Sequence, residues 1–395
     1  MDRVILHCDC NGFFASVECA LNPQLKNVPM AVGGSVEARH GIILAKNELA
    51  KKYNIQTAET IFSAKKKCPD LIIVPPRHDL YEQYSQKVNA IYAEYTDMVE
   101  KFGIDESWLD VTGSQQLFGS GEEIASILRQ RIREEVGITI SVGVSFNKVF
   151  AKLGSDYKKP DATTVISREN YKDIVYPLPV GDLLFVGKRT RETLSKLGIK
   201  TIGDLAASNE ETVKKLLGKA GETIHRYARG DDNSPVDPRA NDEVKSVGNG
   251  MTFRRDLCGE KDIMCGISHL SESIAARMRR KKVKCTVVQV TIKDPDLSSI
   301  QRQEKLDRPT NLSRDITDKA MEIMRHSWNM KNPIRMLTVT GGGIVSENSS
   351  EQISFFDEEK NPKRENLEKT LDLIRDKYGK DSVKNANIIN NDIGI

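Results

Sequence analysis

Val4-Ile5-Leu6-His7-Cys8-Asp9 opens the chain as a short apolar run that ends on an acidic residue. A run of this length predicts a buried β-strand, because a helix needs a longer stretch to bury one face. Beyond it, apolar residues recur at two different spacings through residues 1–145. The order of these spacings decides the fold.

In two later segments the apolar residues have helical spacing. Segments in which apolar and polar residues alternate lie between these two segments and after them. The helical positions are Tyr84, Val88, Ile91 and Tyr95 in one segment and Ile124, Ile127, Leu128 and Ile132 in the next. Strands are predicted at 98–104, 107–111 and 138–144. Strand, helix, strand, strand, helix, strand is the order of the ferredoxin-like split βαβ unit. Residues 15–78, between the first strand and the first helix, predict an inserted subdomain.

The rest of the chain changes pattern after Lys159-Pro160. Short helical segments at 183–198 and 202–218 are punctuated by glycines, and the polar run 230–235 predicts a linker. Strands at 246–253, 285–292 and 336–340 then alternate with helices at 274–280 and 316–328. The sequence therefore predicts an α+β multidomain protein whose second α+β unit is small.

Composition excludes several classes of protein. With 395 residues, 38% hydrophobic and 29% charged, the chain is long enough for about two to four domains. Its apolar runs are far shorter than the roughly 18 residues of a membrane span, and no signal peptide is predicted. Seven scattered cysteines without a CxxC pair predict reduced thiols in a cytoplasmic protein.

Three acidic residues are expected to meet at one edge of the first sheet. In the split unit the first strand runs antiparallel to the third, which brings Asp9 next to Asp105 and Glu106. Such carboxylates repel one another unless cations neutralise them. Two hard cations about 3.5–4 Å apart would stabilise the attacking and leaving oxygens of a phosphoryl-type transfer. The sequence thus predicts two-metal nucleotidyl transfer; the alternative is that these acids merely end a strand and cap a turn.

Three segments together resemble the signatures of the Y-family DNA polymerases, in particular their bacterial lesion-bypass members. They are Asp9-Cys10-Asn11-Gly12-Phe13-Phe14-Ala15-Ser16-Val17-Glu18, Gly103-Ile104-Asp105-Glu106-Ser107-Trp108-Leu109-Asp110, and Ser145-Phe146-Asn147-Lys148-Val149-Phe150-Ala151-Lys152 with Lys158-Lys159-Pro160. The resemblance covers about residues 1–345 in order. It implies a ferredoxin-like palm (1–14 and 79–165) with inserted fingers (15–78), a helix-hairpin-helix thumb (166–235), a linker (236–243), an α+β little finger (244–346) and a tail (347–395).

The resemblance also implies roles for residues of the first unit. Asp9, Asp105 and Glu106 match carboxylates that hold two Mg²⁺ ions, with Mn²⁺ as a substitute, and the backbone carbonyl of Cys10 would complete one coordination sphere. Phe14 matches the steric gate, whose ring would clash with a 2′-hydroxyl.

The nucleotide contacts that the resemblance implies come from three more residues. The backbone of Phe13 and the side chain of Lys159 would contact the incoming nucleotide. Plain core packing is the alternative for both phenylalanine rings. In the fingers, Glu48 and Lys51 stand where many members have a Tyr-x-x-Arg pair. Lys51 can supply charge to the triphosphate but not the bidentate fork of arginine.

Two basic regions are candidates for gripping DNA. Phe185-Val186-Gly187-Lys188-Arg189-Thr190-Arg191 has the form of a hairpin that holds a phosphate on backbone N–H groups; Gly187, Lys188 and Arg189 are the expected contacts. Six cations within residues 277–284 would contact phosphates of the duplex. The expected contacts there are Arg279, Arg280 and Lys282, with Arg254, Arg255 and Arg335 as weaker candidates. An exposed basic turn and a solvated charged face are the alternatives.

The tail contains Glu351-Gln352-Ile353-Ser354-Phe355-Phe356-Asp357. An exposed aromatic pair is unfavourable without a partner. The segment resembles the peptide by which bacterial polymerases dock on the sliding clamp, so Gln352, Ile353, Phe355 and Phe356 are expected to bind the clamp. Leu367, Leu371, Ile374 and Tyr378 predict a further amphipathic helix.

Our interpretation is a monomeric lesion-bypass DNA polymerase that uses a primer–template and deoxynucleoside triphosphates and lacks a proofreading nuclease. Low fidelity follows from the resemblance alone. One alternative is a catalytically silent scaffold that binds DNA and the clamp, against which the retained carboxylates argue. Another is a nucleotide cyclase on the same palm topology, which would have no use for a DNA-gripping hairpin.

Overall fold

The computed structural model describes residues 2–35, 41–240, 242–348, 362–379, 382–384, 386 and 391–395. The chain divides into two compact units between Asp242 and Glu243. The strands of the first unit are β1 Ile5–Cys10, β2 Met30–Gly33, β3 Ile43–Lys46, β4 Ile72–Val74, β5 Val99–Lys101, β6 Glu106–Asp110, β7 Ile140–Ser145 and β8 Thr163–Ile166. Its helices are α1 Phe13–Leu21, α2 Glu48–Lys51, α3 Ile61–Lys67, α4 His78–Ala93, α5 Gln115–Phe118, α6 Gly121–Arg131, α7 Lys148–Tyr157, α8 Tyr171–Val175, α9 Lys188–Lys196, α10 Ile202–Ala207, α11 Glu210–Leu217 and α12 Lys219–Ala228.

The main sheet of the first unit has the strand order β5-β6-β1-β7-β8. Strand β1 runs antiparallel to both β6 and β7, which is the arrangement that the split βαβ order predicted. Strand β8 extends the sheet by pairing parallel to β7. Every residue of β1 is buried, including His7 and Asp9, because helices cover both faces of this strand.

The two faces of the sheet have different roles. On one face, Leu6, Cys8 and Cys10 join side chains of α4 and α6 in the main core. On the other face, α7 packs directly on β1 and β7. A Cβ atom at Gly143 would lie 1.9 Å from the carbonyl oxygen of Ala151, so only glycine allows this close approach. Helix α7 is thereby placed beside the carboxyl end of β1.

The inserted subdomain contains a three-stranded sheet, β3-β2-β4, with a small core of its own. Strand β3 approaches the start of α1: Gly12 has φ 53°, and a Cβ atom there would lie 2.9 Å from the carbonyl oxygen of Lys46. Helices α8 to α12 share another core. The sequence pattern predicted a helical segment at 183–198, which is wrong for its first five residues: residues 183–187 form a turn, and α9 begins only at Lys188.

The second unit is built on an antiparallel sheet of order β11-β10-β12-β9. Its strands are β9 Ser246–Leu257, β10 Val283–Lys293, β11 Ser299–Thr310, β12 Ile334–Gly342 and β13 Val345–Ser346, and its helices are α13 Gly259–Arg280, α14 Ser313–Ser327 and α15 Pro362–Tyr378. Helices α13 and α14 cover one face of the sheet. Helix α15 confirms the amphipathic helix predicted in the tail and packs against α13. None of the helices in the described part of the chain combines the length and apolar composition needed to cross a bilayer.

Candidate active site

The carboxyl end of β1 brings the three predicted acids together. Asp9 is the register partner of Glu106 in the β1–β6 pair. The backbone N–H of Cys10 donates to the carbonyl oxygen of Asp105 at 3.0 Å. The side chains of Asp9 and Glu106 therefore emerge next to each other, and Asp105 occupies the turn directly before β6.

Asp9 is held by a lysine that follows α7. Its side chain is 8% exposed, and its Oδ2 atom accepts from Lys159 Nζ at 2.7 Å. Lys159 also donates to Asp156 Oδ1 at 2.6 Å. Burial raises the pKa of Asp9 to about 6, although the charge of Lys159 partly opposes this shift. Burial also raises the pKa of Asp105, and the nearby charge of Glu106 adds to the effect.

Glu106 is in the opposite electrostatic situation. Its Oε2 atom lies 2.5 Å from Lys152 Nζ and 3.3 Å from His7 Nε2. Burial raises the pKa of Glu106, but hydrogen bonds from His7 and Lys152 outweigh it and lower the pKa to about 2. His7 is itself fully buried, which lowers its pKa to about 4, and its Nδ1 atom lies 2.8 Å from Ser155 Oγ.

The sequence pattern missed His7 and Lys152. His7 contacts Ser155 of α7, and Lys152 lies on α7 itself. Residues 152 and 156 of this helix, and Lys159 just after its end, recur at helical spacing and lie along the side that faces the acids. That spacing is the signal that could have found Lys152. His7 gave no signal of its own beyond its place on the same strand face as Asp9.

The donor set fits hard divalent cations. Carboxylate and carbonyl oxygens are the ligands that Mg²⁺ prefers, and the Cys10 side chain is buried in the main core, so its backbone carbonyl is the atom that could serve. Among the described residues, no three acidic, His or Cys side chains are grouped tightly enough to hold an ion as they stand. Asp9 and Glu106 each face a lysine in this structure. A divalent ion would therefore have to displace these ammonium groups.

Phe14 lies on the first turn of α1, which follows β1. Its ring stacks on Tyr81 with centroids 4.1 Å apart and planes 14° apart, and it meets His78 edge-on. Tyr81 is fully buried, and its hydroxyl donates to Glu18 Oε1 at 2.7 Å. The Phe13 ring is buried in the main core, and the half-buried Phe14 ring packs against the same core. Core packing, the alternative considered for both rings, therefore accounts for the position of Phe13.

The fingers present a second group of lysines. Lys51 lies 3.5 Å from Glu48. Glu48, at the tyrosine position of the Tyr-x-x-Arg pair, therefore partly neutralises Lys51, at the arginine position. A cleft of about 330 Å³ opens between fingers and palm, lined by residues that include Gly12, Lys46 and Thr139. Burial lowers the pKa of Lys46, and the charge of Lys51 lowers it further. The sequence analysis did not single out Lys46, although it lies two residues before Glu48, where the chain departs from the Tyr-x-x-Arg pair.

The predicted DNA contacts lie in different environments. Lys188 and Arg189 are exposed on the first turn of α9, directly after Gly187. In the second unit, Arg279 is only 7% exposed and donates to Asp372 Oδ2 at 2.6 Å and to Glu368. Arg255 is paired with Asp262 and Asp392.

These ion pairs bear on the prediction for two arginines. Arg279 and Arg255 face acids within the unit, so a phosphate would have to displace those acids, and both DNA contacts stay predictions. Arg280 also faces Asp376 of α15, at 3.3 Å, although it is mostly exposed. Arg254, Lys282 and Arg335 stay predictions. Gln352, Ile353, Phe355 and Phe356 lie outside the described residues.

Comparison with known proteins agrees with this geometry. Residues 8–156 match the impB/mucB/samB family, residues 244–355 match the C-terminal domain of that family, and residues 181–232 match the thumb domain of DNA polymerase iota. The chain is 48% identical over 388 residues to DNA polymerase IV of Acetivibrio thermocellus, covering 97% of each chain. It is 36% identical to DNA polymerase IV 1 of Bacillus subtilis, covering 95% of this chain and 91% of the relative. A solved Y-family DNA polymerase chimera superposes with a TM-score of 0.76 at 25% identity, covering 87% of this chain and 99% of the other.

The fold and these matches define a DNA-directed DNA polymerase, an enzyme class that uses primer–template DNA, deoxynucleoside triphosphates and divalent metal ions. Within that class, the chain belongs to the Y family, in the group of the bacterial DNA polymerase IV proteins.

Proposed function

We propose that this chain extends a primer strand opposite damaged template bases, by two-metal nucleotidyl transfer, with low fidelity and without proofreading. The observation that supports the chemistry best is the register pairing of Asp9 with Glu106, beside Asp105. The primer 3′-oxygen attacks the α-phosphate of the incoming nucleotide, and pyrophosphate leaves.

The acids have distinct tasks in this proposal. Asp9, Asp105, Glu106 and the carbonyl oxygen of Cys10 would hold two Mg²⁺ ions, or Mn²⁺ in their place. When bound, such a pair neutralises charge on the attacking and leaving oxygens. His7 and Lys152 keep Glu106 ionised and fix its orientation, since both contact its Oε2 atom. Lys159 keeps Asp9 compensated until the nucleotide arrives.

The nucleotide is received by cations from two sides. Lys159 and the backbone near Phe13 approach from the palm, and Lys51 approaches from the fingers. Lys46 lines the cleft next to Gly12 and adds a further positive charge. Glu48 forms its ion pair with Lys51 and not with Lys46. Phe14, held by its stack on Tyr81, excludes a 2′-hydroxyl.

DNA and partner contacts complete the proposal. The hairpin at Gly187, Lys188 and Arg189 holds a phosphate, and Arg254, Lys282 and Arg335 add contacts from the second unit. Such contacts make affinity fall with salt and carry no sequence preference. The segment around Gln352 and Phe356 docks on the bacterial sliding clamp, and the protein works as a monomer.

The test is primer extension by the purified protein on an undamaged and on an abasic-site template. We expect extension on both with Mg²⁺, none with a chelator, and no shortening of a mismatched primer. Duplex binding without extension would favour the scaffold, and a cyclic nucleotide product would favour the cyclase. Progressive primer degradation would contradict the absence of proofreading.

A further inference from the structure

Phe185 combines an unfavourable backbone with an unfavourable surface position. Its φ is 68°, in the left-handed region that bulky residues rarely adopt and that glycine enters freely. Its side chain is 65% exposed. A backbone outlier of this kind persists where surrounding structure enforces it and often marks a functional contact.

The surroundings of Phe185 indicate what the ring contacts. The next residue, Val186, is buried in the thumb core, so the turn is anchored while the phenylalanine stays outside. The ring of Tyr227 supports it from the protein side, with centroids 6.2 Å apart. Lys188 and Arg189 are exposed on the adjoining turn of α9, and neither forms an ion pair with any residue that the structure describes. An apolar ring is thus presented next to two uncompensated cations.

We propose that Phe185 lies against the deoxyribose face of the bound primer–template duplex, while Lys188 and Arg189 neutralise the flanking phosphates. This inference rests on the proposed function, in which the thumb grips a duplex. Deoxyribose presents an apolar edge between charged phosphates, which matches an aromatic ring between cations. Contacts with sugar and phosphate position a protein without reading sequence.

The second unit offers a matched control. Leu297 has φ 67° and is 60% exposed, so its backbone and exposure resemble those of Phe185. It lies in the turn between β10 and β11, where Asp294 and Asp296 precede it. Those acids would repel phosphates, and we therefore expect Leu297 to contribute nothing to DNA affinity.

The test is equilibrium binding of a fluorescent primer–template duplex by the full-length protein, measured by anisotropy at several salt concentrations. Phe185→Gly and Phe185→Asn should each bind about ten-fold more weakly, as expected for losing the burial of part of an apolar ring. Both residues tolerate the left-handed backbone, so folding is preserved, and Phe185→Tyr should bind like the wild type. The salt dependence of Phe185→Gly should be unchanged, whereas Lys188→Ala should reduce the salt slope by about one.

Three outcomes are informative. Wild-type affinity in both Phe185→Gly and Phe185→Asn would overturn the inference. An equal loss in Leu297→Gly would also overturn it, because the effect would then not depend on the cationic surroundings. Absence of duplex binding by the wild-type protein would instead contradict the proposed function itself.

Discussion

Lys159 Nζ lies 2.7 Å from Asp9 Oδ2, in a site where we propose that metal ions and a triphosphate also bind. The same ammonium group contacts Asp156, so it has an alternative partner when Asp9 turns to a cation. The lysine therefore neutralises an acid in the free enzyme and is available to a phosphate in the complex. This exchange requires that the ionised form of Asp9 is energetically unfavourable in the free enzyme. The first prediction tests this requirement.

In metal-free protein, Asp9→Asn and Glu106→Gln should change stability in opposite directions at pH 7. The pKa of Asp9 is raised to about 6, so the unfolded chain loses this proton near pH 4 while the folded chain keeps it until about pH 6. The free energy of unfolding therefore falls as pH rises through this window, and Asp9→Asn should recover up to about 3 kcal/mol. The pKa of Glu106 is lowered to about 2, so its contribution is present above pH 4.5 and is lost as pH falls toward 2. Glu106→Gln should thus destabilise.

Urea denaturation in EDTA at pH 7 and at pH 4 measures both effects. At pH 4, Asp9 is protonated in the folded chain and about half protonated in the unfolded chain, so most of the gain from Asp9→Asn should vanish. If both variants shifted the free energy of unfolding in the same direction at pH 7, the assigned environments of the two acids would be incorrect.

Phe14→Ala should admit ribonucleotides. Removing the ring frees space for the 2′-hydroxyl, and the ratio of kcat/KM for ribonucleotides to that for deoxynucleotides should rise about 100-fold. Tyr81→Ala, which removes the stacking partner at 4.1 Å, should raise the ratio by a smaller factor. Phe62→Ala is the control, because Phe62 is an exposed phenylalanine of the fingers. Unchanged sugar selectivity in Phe14→Ala would refute the gate.

Lys46→Ala should weaken nucleotide binding. The loss of one charge-assisted contact predicts about a ten-fold higher KM for the deoxynucleotide, and a similar rise in the concentration of pyrophosphate that inhibits extension. Lys46→Arg should restore both values. Lys52→Ala removes an exposed charge of the same region and should change neither; equal effects of Lys46→Ala and Lys52→Ala would remove Lys46 from the site.

Arg279→Ala should affect stability rather than DNA binding. It would leave Glu368 and Asp372 without their guanidinium partner, and breaking a largely buried pair typically costs about 3–5 kcal/mol. The thermal midpoint should fall, with duplex affinity unchanged at a temperature where the protein is folded. Arg314→Ala, which removes an exposed i,i+4 pair, is the control. Weaker duplex binding without loss of stability would support Arg279 as a DNA contact.

The sequence predicted the palm well because its signals are local. The apolar run of β1 and the helical spacing of α4 and α6 define the split unit, and that topology alone places Asp9 opposite Glu106. Strand β11 was missed for a physical reason. Its residues Ser299–Thr310 are largely polar and exposed at the edge of the sheet, so pairing with β10 rather than an apolar pattern determines its conformation.

Side-chain partners that are distant in sequence could not be predicted. His7 and Ser155 meet only because Gly143 lets α7 approach the sheet. Arg279 was assigned to DNA because its run of cations is conspicuous, but the acids that neutralise it are about ninety residues further along the chain. Charge runs predict a partner of opposite charge without saying whether that partner is a phosphate or the protein's own tail.

The central claim is that Asp9, Asp105 and Glu106 hold the ions that drive nucleotidyl transfer. The most direct measurement is the rate of single-nucleotide insertion as a function of Mg²⁺ concentration for the wild type, Asp105→Asn and Asp79→Asn, the last being an exposed acid of α4. We predict that Asp105→Asn is at least about 100-fold slower at saturating Mg²⁺ and needs more Mg²⁺ to reach half of its own maximal rate. Asp79→Asn should match the wild type. Insertion by Asp105→Asn at the wild-type rate, with the same Mg²⁺ dependence, would contradict the account.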